Sequence, residues 1–385
     1  MTRDSERQTT SASRRKFLVA SGAAGVAALA GCSGNSGTSG NGSSTDAGSG
    51  EQAASGETET QSESAGSTQP LTADGSSTVF PITNTGASYW NSNPEPGDED
   101  YWPKKWASET YDTDKRLADY FAGLYGYEAT GERSNPPYLV NVALSHSGTG
   151  IEGVMDGRVD IGDASASAEA ELSGKDVSQS ELDKFVDHVV GVDGQPIVAS
   201  KEIVDAGVEQ ITLDQLKQIY KGELTNWSAV GGPDKEILAL GRAEGSGTDT
   251  AFRSNVYGDP EASISPDQRY GKNQQLQQAV SQADNAIAYI ALAFVQPDGQ
   301  VPPIGLEIDG TLYTYGKNLG SKEYPLSRDL HAYTWEDTSK QEAAFLNFVL
   351  SDFGQKNFVE ANNYFKLPEE RLKKQREKVK PGNYN

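Results

Sequence analysis

The sequence holds a single cysteine, Cys32, three histidines and two methionines. One cysteine excludes an intramolecular disulfide and a cysteine-based metal cluster. Three scattered histidines make no recognisable metal-ligand set, so neither a metal nor another cofactor is expected. Basic charge is scarce too: 33 lysines and arginines stand against 55 acids, a formal net charge of −22. Such a surface repels nucleic acid and anionic lipid. No G-x-S-x-G elbow is present, and a serine nucleophile would have to find its base among His146, His188 and His331. His146 adjoins Ser147, but neighbouring side chains on an extended stretch face opposite ways. A serine-dependent phosphatase or esterase is therefore disfavoured, and no enzymatic activity is expected.

A membrane-spanning run is also missing at the N-terminus. Residues 17–30 form an apolar stretch of 14 residues, rich in glycine and alanine and too short for a comfortable transmembrane helix. With Arg14 and Arg15 ahead of it, the stretch reads as a twin-arginine export signal over residues 1–31. The "LAGC" at residues 29–32 resembles the lipobox of lipoproteins, in which the cysteine, here Cys32, is acylated after cleavage. Residues 32–70 carry no aliphatic side chain larger than alanine and cannot bury a core. They read as a flexible tether between membrane and domain. The expected location is the cell surface, on the outer face of the cytoplasmic membrane. Without residues 1–31 the net charge becomes −25. Such acidity suits very high salt and fits a halophilic archaeon. Concentrated salt shortens the Debye length to about 3 Å, so a binding site for an anion need only work at contact range.

The roughly 315 residues from Leu71 onward are long for one core, so two lobes are expected. Strand-like and helix-like segments alternate. "YLVNVAL" (138–144), "VDIGDA" (159–164), "EILALG" (236–241) and "NAIAYIAL" read as strands, while "HVVGV" and "QPIVAS" read as an extended pair. Thr212 with Gln215, and Ser339 with Glu342, have capping-box spacing. The alternation predicts α/β lobes with parallel-rich sheets. Residues 71–192 and about 325–385 are assigned to lobe I and about 193–324 to lobe II, with hinges near 192–196 and 324–330. The aromatics of 89–137, Trp90, Trp102 and Trp106 among them, could present a carbohydrate or partner platform; packing onto their own domain is the favoured reading.

Three clusters carry the chemistry: "DGSSTVFP" (74–81), "SHSGTGIEG" (145–153) and "GRAEGSGTDTAF" (241–252). Each adjoins a strand-like run and leads into a predicted helix, with small hydroxyl residues beside glycine. First-turn N–H groups and the positive end of the helix dipole then point at one spot. Hydroxyls of Ser147, Ser246 and Thr248 add uncharged donors, and Gly247 lets the backbone approach closely. Arg242 offers a planar guanidinium, and Glu244 two residues on could hold it in orientation. Together they suit a small tetrahedral oxyanion.

These motifs are specific enough to show a likeness. "GSSTVFPI", "SGTGIEG" followed by "VDIGDAS", "LKQIYKGELTNWSAVGG" and "RAEGSGTDTAF" resemble the phosphate-binding lipoproteins that deliver substrate to phosphate ABC transporters. "YPLSR" and "LPEERLKKQREKV" are similar to that family's returning segment and closing helix. The resemblance covers nearly all of residues 71–385 outside 89–137. It implies a two-lobed fold of the periplasmic-binding-protein type II, hinged between its lobes. The implied ligand is inorganic phosphate and the implied partner is a permease; a monomer is expected. The likeness puts the phosphate donors on Ser77, Thr78, Val79 and Phe80, the last two through backbone N–H. Ser147, Arg242, Ser246, Gly247 and Thr248 complete them. Where many members carry an aspartate that accepts a hydrogen bond from protonated phosphate, this chain has Ser165. Asp163, two residues earlier, could supply the acceptor or could cap a helix. Other tetrahedral oxyanions (sulfate, molybdate or tungstate) and a lipid-anchored anion sensor are the alternatives.

Overall fold

The computed structural model describes residues 69–384 apart from Arg133 and Lys322. The export signal, Cys32 and nearly all of the tether lie outside the described residues. Those described belong to one compact unit, Glu63–Asn385. Among them twelve strands form two sheets. They are Leu71–Gly75 (β1), Val140–Val142 (β2), Ile161–Ala164 (β3), Phe185–Asp193 (β4), Ile197–Ala199 (β5) and Gln210–Thr212 (β6). Leu238–Arg242 (β7), Gln268–Tyr270 (β8), Ala286–Tyr289 (β9), Pro303–Ile308 (β10), Thr311–Tyr313 (β11) and Arg328–Trp335 (β12) follow.

The first sheet runs in the order β2, β1, β3, β12, β4; the second runs β11, β10, β5, β9, β7, β8, with β6 beside β10. Each sheet is parallel where it carries the glycine-hydroxyl clusters. β1 is parallel to β2 and β3, and β7 to β8 and β9. Antiparallel pairing enters at β12 and β4 in one sheet and around β5 and between β10 and β11 in the other, where β6 lies parallel to β10. The molecule is thus a two-lobed α/β fold whose sheets are more mixed than the strand-helix alternation implied. Parallel strands need crossover helices, so the carboxyl ends of β1, β2 and β7 each open into a loop and a helix. Those helices are Phe80–Ser92, Ser147–Met155 and Gly247–Tyr257.

The expected pair "HVVGV" and "QPIVAS" does not form. β4 pairs with β12, whereas β5 pairs with β9 and β10 in the other sheet. Residues 194–196, ending in a proline without an N–H, carry the chain across instead of turning it into a hairpin. Asp193 pins this crossing: Oδ1 accepts from Leu292 N at 2.9 Å, and Oδ2 accepts from the guanidinium of Arg328, the first residue of β12.

Helix starts follow local chemistry. Thr212 with Gln215 and Ser339 with Glu342 form complete capping boxes. The helix Lys340–Leu350 buries Phe345, Leu346, Val349 and Leu350. Trp90 packs against Phe345 and Phe348 with ring centroids 5.9 and 5.7 Å apart, and Trp102 meets Phe353 edge-on at 5.3 Å. Both indoles are fully buried. The aromatics of 89–137 therefore build the core of the first lobe, as the packing reading expected. Close helix-sheet contact sets the height of the helix Ser147–Met155. A Cβ on Gly150 would lie 2.6 Å from Asp74 O, and one on Gly162 would lie 2.5 Å from Gly150 O. Only hydrogen at both positions lets this helix sit directly on β1 and β3.

Candidate anion site

The three clusters meet. Thr78 Oγ1, from the loop after β1, lies 2.9 Å from Thr248 Oγ1 in the first turn of the helix Gly247–Tyr257. Gly148 N donates to Gly245 O at 3.4 Å, joining the second cluster to the third. Ser147 Oγ accepts from Ser165 N at 3.2 Å, and Ser76 Oγ donates to Ser165 Oγ at 3.0 Å. Ser77, Thr78, Val79, Ser147, Ser165, Ser246 and Thr248 are all buried. Phe80 is half-buried, and its amide closes the first helical turn on Ser76 O at 2.9 Å.

Serine or threonine before a helix most often caps it. Here the three cluster helices begin without a side-chain cap, on Val79, His146 and Ser246. Thr212 and Ser339, away from the site, do cap theirs. The hydroxyls of Ser77, Thr78 and Thr248 bond across the gap between lobes instead of back into their own first turns, while Ser76, Ser147 and Ser165 bond one another on the first lobe's side. The positive ends of helix dipoles from both lobes face this gap.

Arg242 ends β7 and is 1% exposed. Its guanidinium donates to Tyr270 O (3.1 Å), Gly271 O (2.7 Å), Thr248 Oγ1 (3.1 Å) and Ser77 Oγ (3.1 Å). All four acceptors are neutral, and among the described residues Arg242 forms no ion pair. Burial pulls its guanidinium down to about 9, the mark of a cation short of negative charge. Asp249 lies near it but is engaged by Arg253 and Arg269.

Two sequence expectations need correction here. Glu244 does not orient Arg242: its side chain is 77% exposed and pairs with Arg253 at 3.6 Å. The turn through Gly245, at φ 74°, carries Glu244 outward. Carbonyl oxygens of Tyr270 and Gly271 do the orienting. Asp163 neither caps a helix nor bonds to the second or third cluster; Oδ2 accepts from Thr83 Oγ1 at 2.5 Å, beneath the helix Phe80–Ser92. Burial pushes its carboxyl up to about 7.

Three residues join the site that the sequence did not single out. Arg328, within "YPLSR", bonds Gly247 O (2.9 Å), Thr78 Oγ1 (3.3 Å) and Thr248 Oγ1 (3.2 Å) while paired with Asp193 at 2.7 Å. Asn273 Nδ2 donates to Ser77 Oγ (3.1 Å) and Thr78 Oγ1 (3.0 Å). Glu171 is buried, with both carboxylate oxygens unpartnered among the described residues. An arginine opening a strand, an asparagine opening a helix and an acid in "AEAEL" carry no local pattern that marks them.

A two-lobed α/β chain with buried hydroxyls and guanidinium at the interlobe crevice is the architecture of a solute-binding protein. Residues 126–352 match the sequence model of the PBP superfamily domain, and the chain belongs to that superfamily. Over 232 residues it is 31% identical to the phosphate-binding protein PstS of Bacillus subtilis, covering 60% of this chain and 72% of that one. The chain is a member of the PstS family of phosphate-binding proteins. Solved structures agree on the fold. A phosphate ABC transporter substrate-binding protein from Clostridium perfringens superimposes with TM-score 0.56 at 22% identity, over 78% of this chain and 100% of its own. An ABC-type phosphate transport receptor from Vibrio cholerae gives 0.50 at 24%, over 77% and 100%.

Proposed function

We propose that this protein captures inorganic phosphate between its lobes and delivers it to an ABC transporter permease, without chemistry on the ligand. The carrying observation is Arg242, a buried cation whose hydrogen bonds all end on neutral oxygens. An uncompensated buried charge costs about 3–5 kcal/mol, so a bound oxyanion repairs what the fold leaves open. Hydroxyls of Ser77, Thr78, Ser147, Ser165, Ser246 and Thr248, with amides around Val79 and Gly247, supply the remaining donors; the Phe80 amide, expected among them, is already spent on Ser76 O. Cross-lobe bonds such as Thr78 to Thr248 and Arg242 to Ser77 are the ones an oxyanion would replace. Lobe I, 71–192 and about 325–385, closes on lobe II at hinges near 192–196 and 324–330, and closure signals loading to the permease.

The family supports phosphate over sulfate, molybdate or tungstate. A serine-dependent hydrolase finds no support in the histidines: His188 Nε2 bonds Thr338 at 2.9 Å, His331 Nδ1 bonds Asp187 at 2.8 Å, and His146 Nδ1 has no partner among the described residues. We further propose a monomer of haloarchaeal origin, exported by the twin-arginine route and held to the outer membrane face by lipid on Cys32. Uptake of labelled phosphate in molar salt, with sulfate as competitor, tests the ligand. Displacement by sulfate at equal concentration would refute the phosphate assignment. The mass of the mature N-terminal peptide tests the anchor; an unmodified Cys32 would remove it.

A further inference from the structure

Carbonyls of Tyr270 and Gly271 aim the Arg242 guanidinium, but they do not hold its main chain. That task falls to Asp249, which follows Thr248 in the first turn of the helix Gly247–Tyr257 and is 2% exposed. Its Oδ1 accepts from Tyr289 Oη at 2.5 Å and from Arg269 Nη1 at 3.1 Å. Each of these two donors also grips Arg242. Tyr289 Oη accepts from Arg242 N at 3.1 Å, and Arg269 Nη1 donates to Arg242 O at 2.9 Å. One carboxylate oxygen thus governs both main-chain polar groups of the residue that carries the site's unpaired cation.

The frame around this clamp is stiff. The Tyr289 ring stacks on Phe252 of the same helix with centroids 3.8 Å apart, and Arg269 lies opposite Gly241 in the parallel pair of β7 and β8. Gly241 leaves room for the hydroxyl. A Cβ there would lie 3.0 Å from Tyr289 Oη and 2.9 Å from Pro266 Cγ. The second carboxylate oxygen, Oδ2, is paired with Arg253 one turn further along the helix. Between Arg253 and Arg269 the acid is compensated where it stands, so Arg242 keeps its charge for a ligand.

Two opposite effects on anion capture meet at Asp249. A carboxylate one residue from a ligand hydroxyl repels an anion, so electrostatics alone makes its removal strengthen binding. Loosening the support of a binding guanidinium weakens it. We propose that Asp249 is a positioning residue, which fixes Arg242 through Tyr289 and Arg269 against the helix that carries Gly247 and Thr248, and that its loss weakens phosphate capture although it takes a negative charge away. This rests on the phosphate reading above. Glu244, nearer to Arg242 along the chain, has no part in the clamp: it pairs with Arg253 from the surface.

The test is equilibrium dialysis of labelled phosphate against the intact protein in molar salt, with Asp249→Ala and Tyr289→Phe beside the wild type. Asp249→Ala cuts both arms of the clamp and is expected to bind at least about tenfold more weakly. Unchanged or tighter binding overturns the proposal. Tyr289→Phe cuts the arm to Arg242 N without altering any charge and is expected to weaken binding about three- to tenfold. Made in an Arg242→Ala background, the same change should cost less than about twofold, because the group it positions is gone. An equal loss in both backgrounds overturns the route through Arg242, since general loosening of the lobe would produce it. Should Asp249→Ala fail to fold, Tyr289→Phe decides by itself, and wild-type affinity in that variant overturns the proposal. A wild type that binds no phosphate refutes the parent reading and this one with it; wild-type binding with unchanged affinity in both variants refutes this one alone.

Discussion

Arg242 and Arg328 reach the same hydroxyl, Thr248 Oγ1, from two different strands at 3.1 and 3.2 Å. They are not equivalent. Arg328 is neutralised by Asp193, whereas Arg242 rests on carbonyls and hydroxyls alone. One guanidinium holds the two chain crossings together; the other waits for a charge.

That asymmetry orders their effects on stability. Arg328→Ala leaves Asp193 buried and uncompensated and is expected to cost about 3–5 kcal/mol. Arg242→Ala removes an unpaired cation and leaves ligand-free stability unchanged or raised. Chemical denaturation of both variants without phosphate checks the order; equal losses would contradict it.

Gly247 tolerates no side chain. Its Cβ would lie within 2.7 Å of Ser147, Ser165 and Glu171, two hydroxyls and a carboxylate that line the site. Gly247→Ala is expected to weaken phosphate binding by about ten- to a hundredfold, the scale of an overpacking cost. Calorimetric titration measures it, and wild-type affinity in the variant would show that the ligand lies elsewhere.

The loops were legible because glycine, serine and threonine ahead of a helix are local chemistry, and three such stretches sit at fixed places along the chain. What holds them was not. Tyr270 and Gly271 orient Arg242 through backbone oxygens, which no side-chain pattern reveals. Glu244 looked like the orienting acid only because its distance along the chain was short, and one left-handed glycine sent it to the surface. Glu171 reads as a solvated helix acid until the fold turns it inward. The pairing of the two runs that flank 194–196, though not the change of lobe there, was misread because two adjacent extended runs look alike whether they share a sheet or change sheets.

Buried acids set the pH response. Asp163 and Glu171 are pushed up to about 7 and about 8, so from ordinary carboxylate values up to there the folded chain holds protons that the unfolded chain has lost. Stability is therefore fully present below the unfolded values and declines as pH rises through 7 and 8. His188, pulled down to about 4 by burial, acts oppositely below about 6.5, where the unfolded chain takes up a proton the fold refuses. With two such acids against one histidine, ligand-free protein should melt several degrees lower at about pH 8.5 than at about pH 6, with Asp163→Asn flattening the alkaline limb. A melting temperature that rises between those values would contradict this.

Trp102 tests the separation of core from site. It is fully buried against Phe353 in the first lobe. Trp102→Ala is expected to cost about 3–5 kcal/mol of stability. The folded fraction should keep its phosphate affinity. A selective loss of affinity with stability intact would return 89–137 to the binding function.

The most direct measurement is equilibrium dialysis of labelled phosphate against the intact protein and its Arg242→Ala variant in molar salt, with the fold of each checked by circular dichroism. One phosphate per wild-type molecule is expected, with affinity at least about tenfold weaker in the variant, as loss of a charged hydrogen bond requires. Equal affinity in the two would remove Arg242 from the site and contradict the account.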